Sequence, residues 1–118
     1  MSLAGKQSSP SFVARWTVDV PFGNLEPAID AMQRWRESVA SELGWKGARV
    51  IRGCVGAPET TLILEVNLDS LDAFSSGLQK QRYSEQHAEV EKEIGRLMTP
   101  GSSGWQVFEQ LHDSKSLR

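Results

Sequence analysis

His87 has the most chemistry to offer. From about Ser84 to Met98 the residues follow a helical period, with Tyr83, His87, Val90, Ile94, Leu97 and Met98 on one side and Glu85, Glu89, Lys92, Glu93 and Arg96 on the other. At about 100° per residue, His87 falls in the middle of the apolar stripe and is directed inward, with Tyr83 one turn before it. An inward imidazole can be tuned to act as a general base or hydrogen-bond donor, so His87 and Tyr83 form the candidate catalytic pair. The plainer alternative is a core histidine satisfied by a backbone carbonyl, or one at the end of the stripe near solvent. Arg36 raises the same question inside an earlier stripe, near Met32 and Val39. Its guanidinium could clamp a carboxylate or enolate, or its methylenes could lie on the core edge with the head in water. Trp16 and Trp105 fall on strand-like segments and could wall a pocket for a flat aromatic ligand. Together with Trp35 and Trp45 they could equally fill a core or an interface. Trp16, Arg36 and Trp105 are the candidate substrate-binding residues.

Other chemistries lack their residues. Cys54 is the single cysteine, which excludes an intrachain disulfide and suits a reducing, cytoplasmic compartment. The two histidines, His87 and His112, show no HxH or HxxxH spacing, so no metal is expected. There is no GxGxxG or GxSxG motif, and Gly101-Ser102-Ser103-Gly104 precedes a strand rather than the helix N-terminus that a phosphate cradle uses. No cofactor is expected. With 13 basic and 15 acidic residues the net charge is −2, and no Lys/Arg run offers a path to nucleic acid. No segment approaches the ~18 apolar residues of a membrane span, and Met1–Pro10 lacks the apolar run of a signal peptide.

The elements that must hold these residues can be read along the chain. Ser11–Val20 alternates apolar and polar positions, the period of a half-buried strand, and Pro21, Gly23 and Asn24 end it. Leu25–Leu43 carries the helical period, with Asn24 as expected N-cap and Gly44 after its last apolar residue. Ala48–Val55 and Thr61–Leu68 read as strands joined through Gly56–Thr60. Asp69 or Ser70 caps a second helical region around Leu71, Phe74 and Leu78, which Gly77 weakens. The longer helix bearing His87 follows, and Trp105–Leu111 reads as the last strand. Residues 1–10 are expected to be disordered or left over from expression, 11–111 to form a single domain, and 112–118 to be a polar tail.

The order β-α-β-β-α-β implies an α+β domain: a four-stranded antiparallel sheet with helices on one face. Its other face is left bare, with Thr61, Ile63, Glu65 and Asn67 on one strand and Val13 and Thr17 on another. A partly apolar open sheet favours a partner, most simply a second copy related by a two-fold axis. Arg15, Arg49 and Arg52 are expected to pair across strands with Asp19 and Glu65 at that seam.

This pattern resembles the dimeric α+β barrel superfamily, in which two ferredoxin-like subunits pack sheet against sheet. The carrying features are the Trp16-bearing first strand, the helix ending at Leu43-Gly44-Trp45, the hand-over from strand to helix in Glu65–Phe74, and the Met98-Thr99-Pro100-Gly101 approach to the last strand. The superfamily includes proteins similar to cofactor-free monooxygenases of antibiotic biosynthesis, polyketide cyclases, small isomerases, haem enzymes and NIPSNAP-like proteins, and nothing in this sequence singles out a proximal haem ligand. The resemblance implies a homodimer, and either a cofactor-independent enzyme acting on a small aromatic or polyketide-like molecule or a non-catalytic ligand-binding dimer. An enzyme of this kind requires a cavity of roughly a few hundred Å³ between helices and sheet, with His87 at its wall.

Overall fold

The computed structural model describes residues 11–111; the stretches 1–10 and 112–118, with the readings made for them, lie outside it. Strand β1 (Ser11–Asp19) buries Ala14 and Val18 fully on one face and turns Arg15 and Thr17 to the other. It pairs antiparallel with β3 (Thr61–Leu68) on one side and β4 (Gly104–Gln110) on the other. Strand β2 (Lys46–Arg52) pairs with the outer side of β3, so the sheet order is β2-β3-β1-β4. Helix α1 (Leu25–Ser38) joins β1 to β2, and α2 (Leu71–Gln81) and α3 (Glu85–Leu97) join β3 to β4. The class is α+β with the expected ferredoxin-like order, the second crossover being made by two helices instead of one.

The helices cover the sheet face that carries Ala14, Val18, Leu62, Leu64, Val66 and Leu68, and Met32, Trp35, Val90 and Ile94 pack down onto it. Each large side chain removed from water here contributes about 1.5–3 kcal/mol, and this layer is the core. The open face carries Glu65 paired with both Arg15 and Arg49, as expected from their cross-strand positions.

Two local readings change. Helix α1 ends at Ser38, short of Leu43. There the Ser38 hydroxyl donates to the Arg34 carbonyl at 2.7 Å, and the Ala40 N–H reaches back five residues to the Trp35 carbonyl. A hydroxyl competing for helix carbonyls bends and ends the regular ladder. Val39, Ala40 and Leu43 nevertheless stay buried in the turns that follow. Asn24 makes no side-chain cap on α1; its Nδ2 instead donates to the Leu97 carbonyl at 2.9 Å, tying the start of α1 to the end of α3. Cys54 is exposed.

Strand β2 carries a bulge. Lys46 lies opposite Asn67 and Arg49 opposite Glu65, so three steps on β2 match two on β3. Gly47, with φ +59°, takes up the extra residue, and the shift sets Arg49 beside Glu65.

Gly77 is buried in the middle of α2, where glycine costs about 1 kcal/mol relative to alanine. A Cβ at this position would overlap the Trp45 indole. Gly77→Ala is therefore expected to lower stability by about 1–3 kcal/mol despite its better helix propensity, as urea titration would measure. Unchanged or raised stability would show that Trp45 can move aside.

Candidate functional site

A row of three residues crosses the sheet beneath the helices. Trp16 on β1 stands opposite Leu64 on β3 and opposite Trp105 on β4. Helix α3 supplies His87, Val90 and Ile94 above this row, α1 supplies Met32 and Trp35 at the side, and Gln81 and Glu91 stand with them around the same space. Together they line a partly open cavity of about 70 Å³, far below the volume expected from the sequence. Met32 and Trp35, nearly fully buried, form part of its wall.

His87 is placed by its helix cap. The Ser84 hydroxyl accepts the backbone N–H of His87 at 3.1 Å and so starts α3. From there the imidazole reaches inward, its side chain 14% exposed. Trp35 Nε1–H donates to His87 Nδ1 at 2.9 Å. Nδ1 must therefore present its lone pair, and the neutral ring carries its proton on Nε2. Nε2 lies 3.5 Å from Glu91 Oε2, one turn further along α3. Trp35 also belongs to an aromatic cluster with Trp45, Phe74 and Trp105, whose neighbouring ring centroids lie 5.4–6.1 Å apart.

The structure brings Trp16, Trp105 and His87 to one cavity, and it places Tyr83 and Arg36 elsewhere. Tyr83 is 87% exposed in the turn between α2 and α3. Successive N–H groups of Arg82, Tyr83 and Ser84 bond three residues back, and the Ser84 cap then starts a new helix, so the angular phase that linked Tyr83 to His87 is broken. Arg36 donates to Gln33 Oε1 at 2.7 Å and to Glu37 at 3.2 Å and does not line the cavity. Glu91 and the hydrogen bond from Trp35 were not read from the sequence. For Glu91 the signal was present in its i,i+4 spacing from His87.

On the open face, Arg15 Nε donates to Glu65, and Arg49 Nε donates to the other carboxylate oxygen at 2.7 Å. The Arg15 guanidinium also lies 5.1 Å from the centre of the Phe108 ring. Burial pushes the Glu65 carboxyl up, but the hydrogen bonds and charges of Arg15 and Arg49 outweigh it and hold the group below its ordinary value. Arg52 makes no ion pair among the described residues, and Asp19 instead accepts from the Thr61 hydroxyl at 2.7 Å. Among the described residues no cluster of His, Cys, Asp and Glu could hold a metal ion, and no helix is long and apolar enough to cross a membrane.

No protein-family model and no curated protein matches the chain. Solved structures do. A NIPSNAP family protein with unknown function from Agrobacterium tumefaciens superposes with a TM-score of 0.73 at 15% identity, over 91% of this chain and 94% of that one. A protein from Nitrosomonas europaea, proposed to be an antibiotic biosynthesis monooxygenase, gives 0.69 at 11% identity, over 86% and 91%. A dimeric protein of unknown function and ferredoxin-like fold from Bacteroides fragilis gives 0.59 at 12%, over 84% and 96%. The chain shares their ferredoxin-like fold. These neighbours are of the kinds to which the sequence resemblance pointed. At such identities the likeness is one of fold, and the chemistry of this ferredoxin-like domain has to be argued from its own cavity.

Proposed function

We propose that this ferredoxin-like domain is a homodimer joined through its open sheet face, acting without a cofactor on a small aromatic or polyketide-like molecule held between helices and sheet. One observation carries this reading: a histidine with a fixed tautomer stands at the wall of a cavity otherwise lined mainly by tryptophan and aliphatic side chains. A closed apolar cavity of about 150 Å³ takes up a whole benzene, so this one, at about 70 Å³ and partly open, admits a single ring only if its lining gives way, with the ring's polar edge near Gln81 and Glu91. Val13, Ile63 and Phe108 beside the paired arginines give the open face apolar ground for a second copy.

A ligand bound only by the folded protein at about ten times its Kd adds about 1.4 kcal/mol and raises the melting temperature by several degrees. Single-ring aromatic ketones, acids and quinones should include compounds with this effect, and His87→Ala should reduce it. A panel with no shift at all would remove the reading. Arg36 and Tyr83 standing outside the cavity favour a second reading, a dimer that holds the same ligand without transforming it; an unchanged compound recovered after long incubation would select it.

A further inference from the structure

We infer that Glu91 and His87 form a proton-abstraction pair, Glu91 as base and neutral His87 as hydrogen-bond donor, and that the substrate class is a neutral single-ring ketone with hydrogen on the carbon beside the carbonyl. The inference rests on the pocket proposed above and assigns its reaction.

The tautomer decides which group can do what. Because Nδ1 accepts from Trp35, the ring cannot take a second proton there without placing two N–H groups against each other. Nε2 already carries the proton of the neutral ring, so His87 faces a ligand as a donor. An acceptor for protons is present in Glu91, whose side chain is 73% exposed and which lines the same cavity. The 3.5 Å between Nε2 and Oε2 is long for a direct hydrogen bond, and a donor and an acceptor so placed can take a carbonyl oxygen and the neighbouring C–H of one molecule. A neutral imidazole donor combined with a glutamate base is a known solution for enolisation. Apolar walls from Trp16, Trp105 and Val90 flank the ring, and Glu91 stands at the solvent side of the cavity. A carboxylate ligand would meet the like charge of Glu91, so a neutral ketone is preferred to an aromatic acid.

In the step itself the C–H bond beside the carbonyl breaks and its proton passes to Glu91 Oε2. The released electron pair forms the C=C bond, and the carbonyl π pair moves onto oxygen, which accepts the hydrogen bond from Nε2–H. Return of the proton to the same carbon, or to one conjugated with it, completes the cycle without oxidant or reductant. Trp35 is a positioning residue, since it acts only through His87.

The test uses the full chain with two probes: 3-cyclohexenone, whose conversion to the conjugated 2-cyclohexenone is followed by ultraviolet absorbance, and cyclohexanone, whose hydrogen exchange in D₂O is followed by NMR. Both reactions should run above the buffer rate. Glu91→Gln should slow them about 10²–10³-fold with little change in the melting temperature, and His87→Gln should slow them to a similar degree. Trp35→Phe should lower kcat more than it raises KM, and nitrogen NMR of His87 should show both tautomers where the native protein shows one. Full activity in Glu91→Gln overturns the assignment of the base. Ketones that raise the melting temperature but neither isomerise nor exchange overturn the reaction and leave the pocket standing. Probes that do neither overturn the reaction, and a wider panel without a shift overturns the pocket as well.

Discussion

Trp45→Ala is expected to destabilise the protein by about 3–5 kcal/mol, enough to unfold much of the population at 37 °C if the domain stands at the ~5 kcal/mol lower end of ordinary stability. Trp45 is only 4% exposed and sits where three elements meet. Its Nε1–H donates to the Ala73 carbonyl of α2 at 3.0 Å. Its ring stacks on Phe74 at 5.7 Å and meets Trp105 edge-on at 5.5 Å. It also fills the space left by Gly77, so truncation opens a void beneath a helix that has no side chain there to collapse into it. Chemical denaturation followed by tryptophan fluorescence would measure the loss. A cost below about 1 kcal/mol would mean that the aromatic cluster closes over the gap. Because Trp105 also lines the ligand cavity, the same variant should weaken any ligand-induced rise in melting temperature.

Loss of the Glu65 charge should be felt in both stability and assembly. In the protomer the carboxylate is nearly buried between two arginines that are themselves more than 40% exposed, so solvent screening limits the loss in Glu65→Gln to about 1–2 kcal/mol. At a sheet-to-sheet seam the same arginines would be left facing each other out of water, and the dimer should weaken at least tenfold, as sedimentation across a concentration series would show. The pH dependence has a definite sign. The folded Glu65 carboxyl lies below its ordinary value, whereas in the unfolded chain it titrates near pH ~4.3. The native state is therefore fully favoured by this group above about pH 4.3 and loses that advantage as pH falls through the folded value. In Glu65→Gln this part of the acid dependence should vanish. An identical acid limb in variant and native protein would show that the charge contributes nothing.

Much of the fold was legible because the sheet obeys period two. Thr61–Leu68 starts and ends where alternation and turn residues place it, and the same alternation sends Ile63 and Glu65 to the open face. Trp16, Trp105 and His87 converge because two strands and one helix each turn an inward side toward the same layer, which periodicity can express. What periodicity cannot express is a break in phase. The Ser38 back-bond ends α1 early, and the turn at Arg82–Ser84 with the Ser84 cap starts α3 anew and leaves Tyr83 in solvent while its sequence spacing to His87 is unchanged. Glu91 escaped for a different reason: a charged residue beside the apolar stripe reads as solvated surface, and its i,i+4 spacing from His87 is the one local sign of the partner it shares. The pairing of Trp35 with His87 joins two helices across 52 residues of chain, a distance that no local pattern spans.

The extra residue at Gly47 also bears on strand-by-strand addition at that edge of the sheet. An outermost strand offers unpaired N–H and C=O groups to any passing chain, and long regular margins propagate by adding strand after strand. Here one margin is kinked within two residues of its start, so an incoming segment would fall out of step before completing a ladder. Edgewise addition, which has no natural end, is thereby disfavoured along this margin.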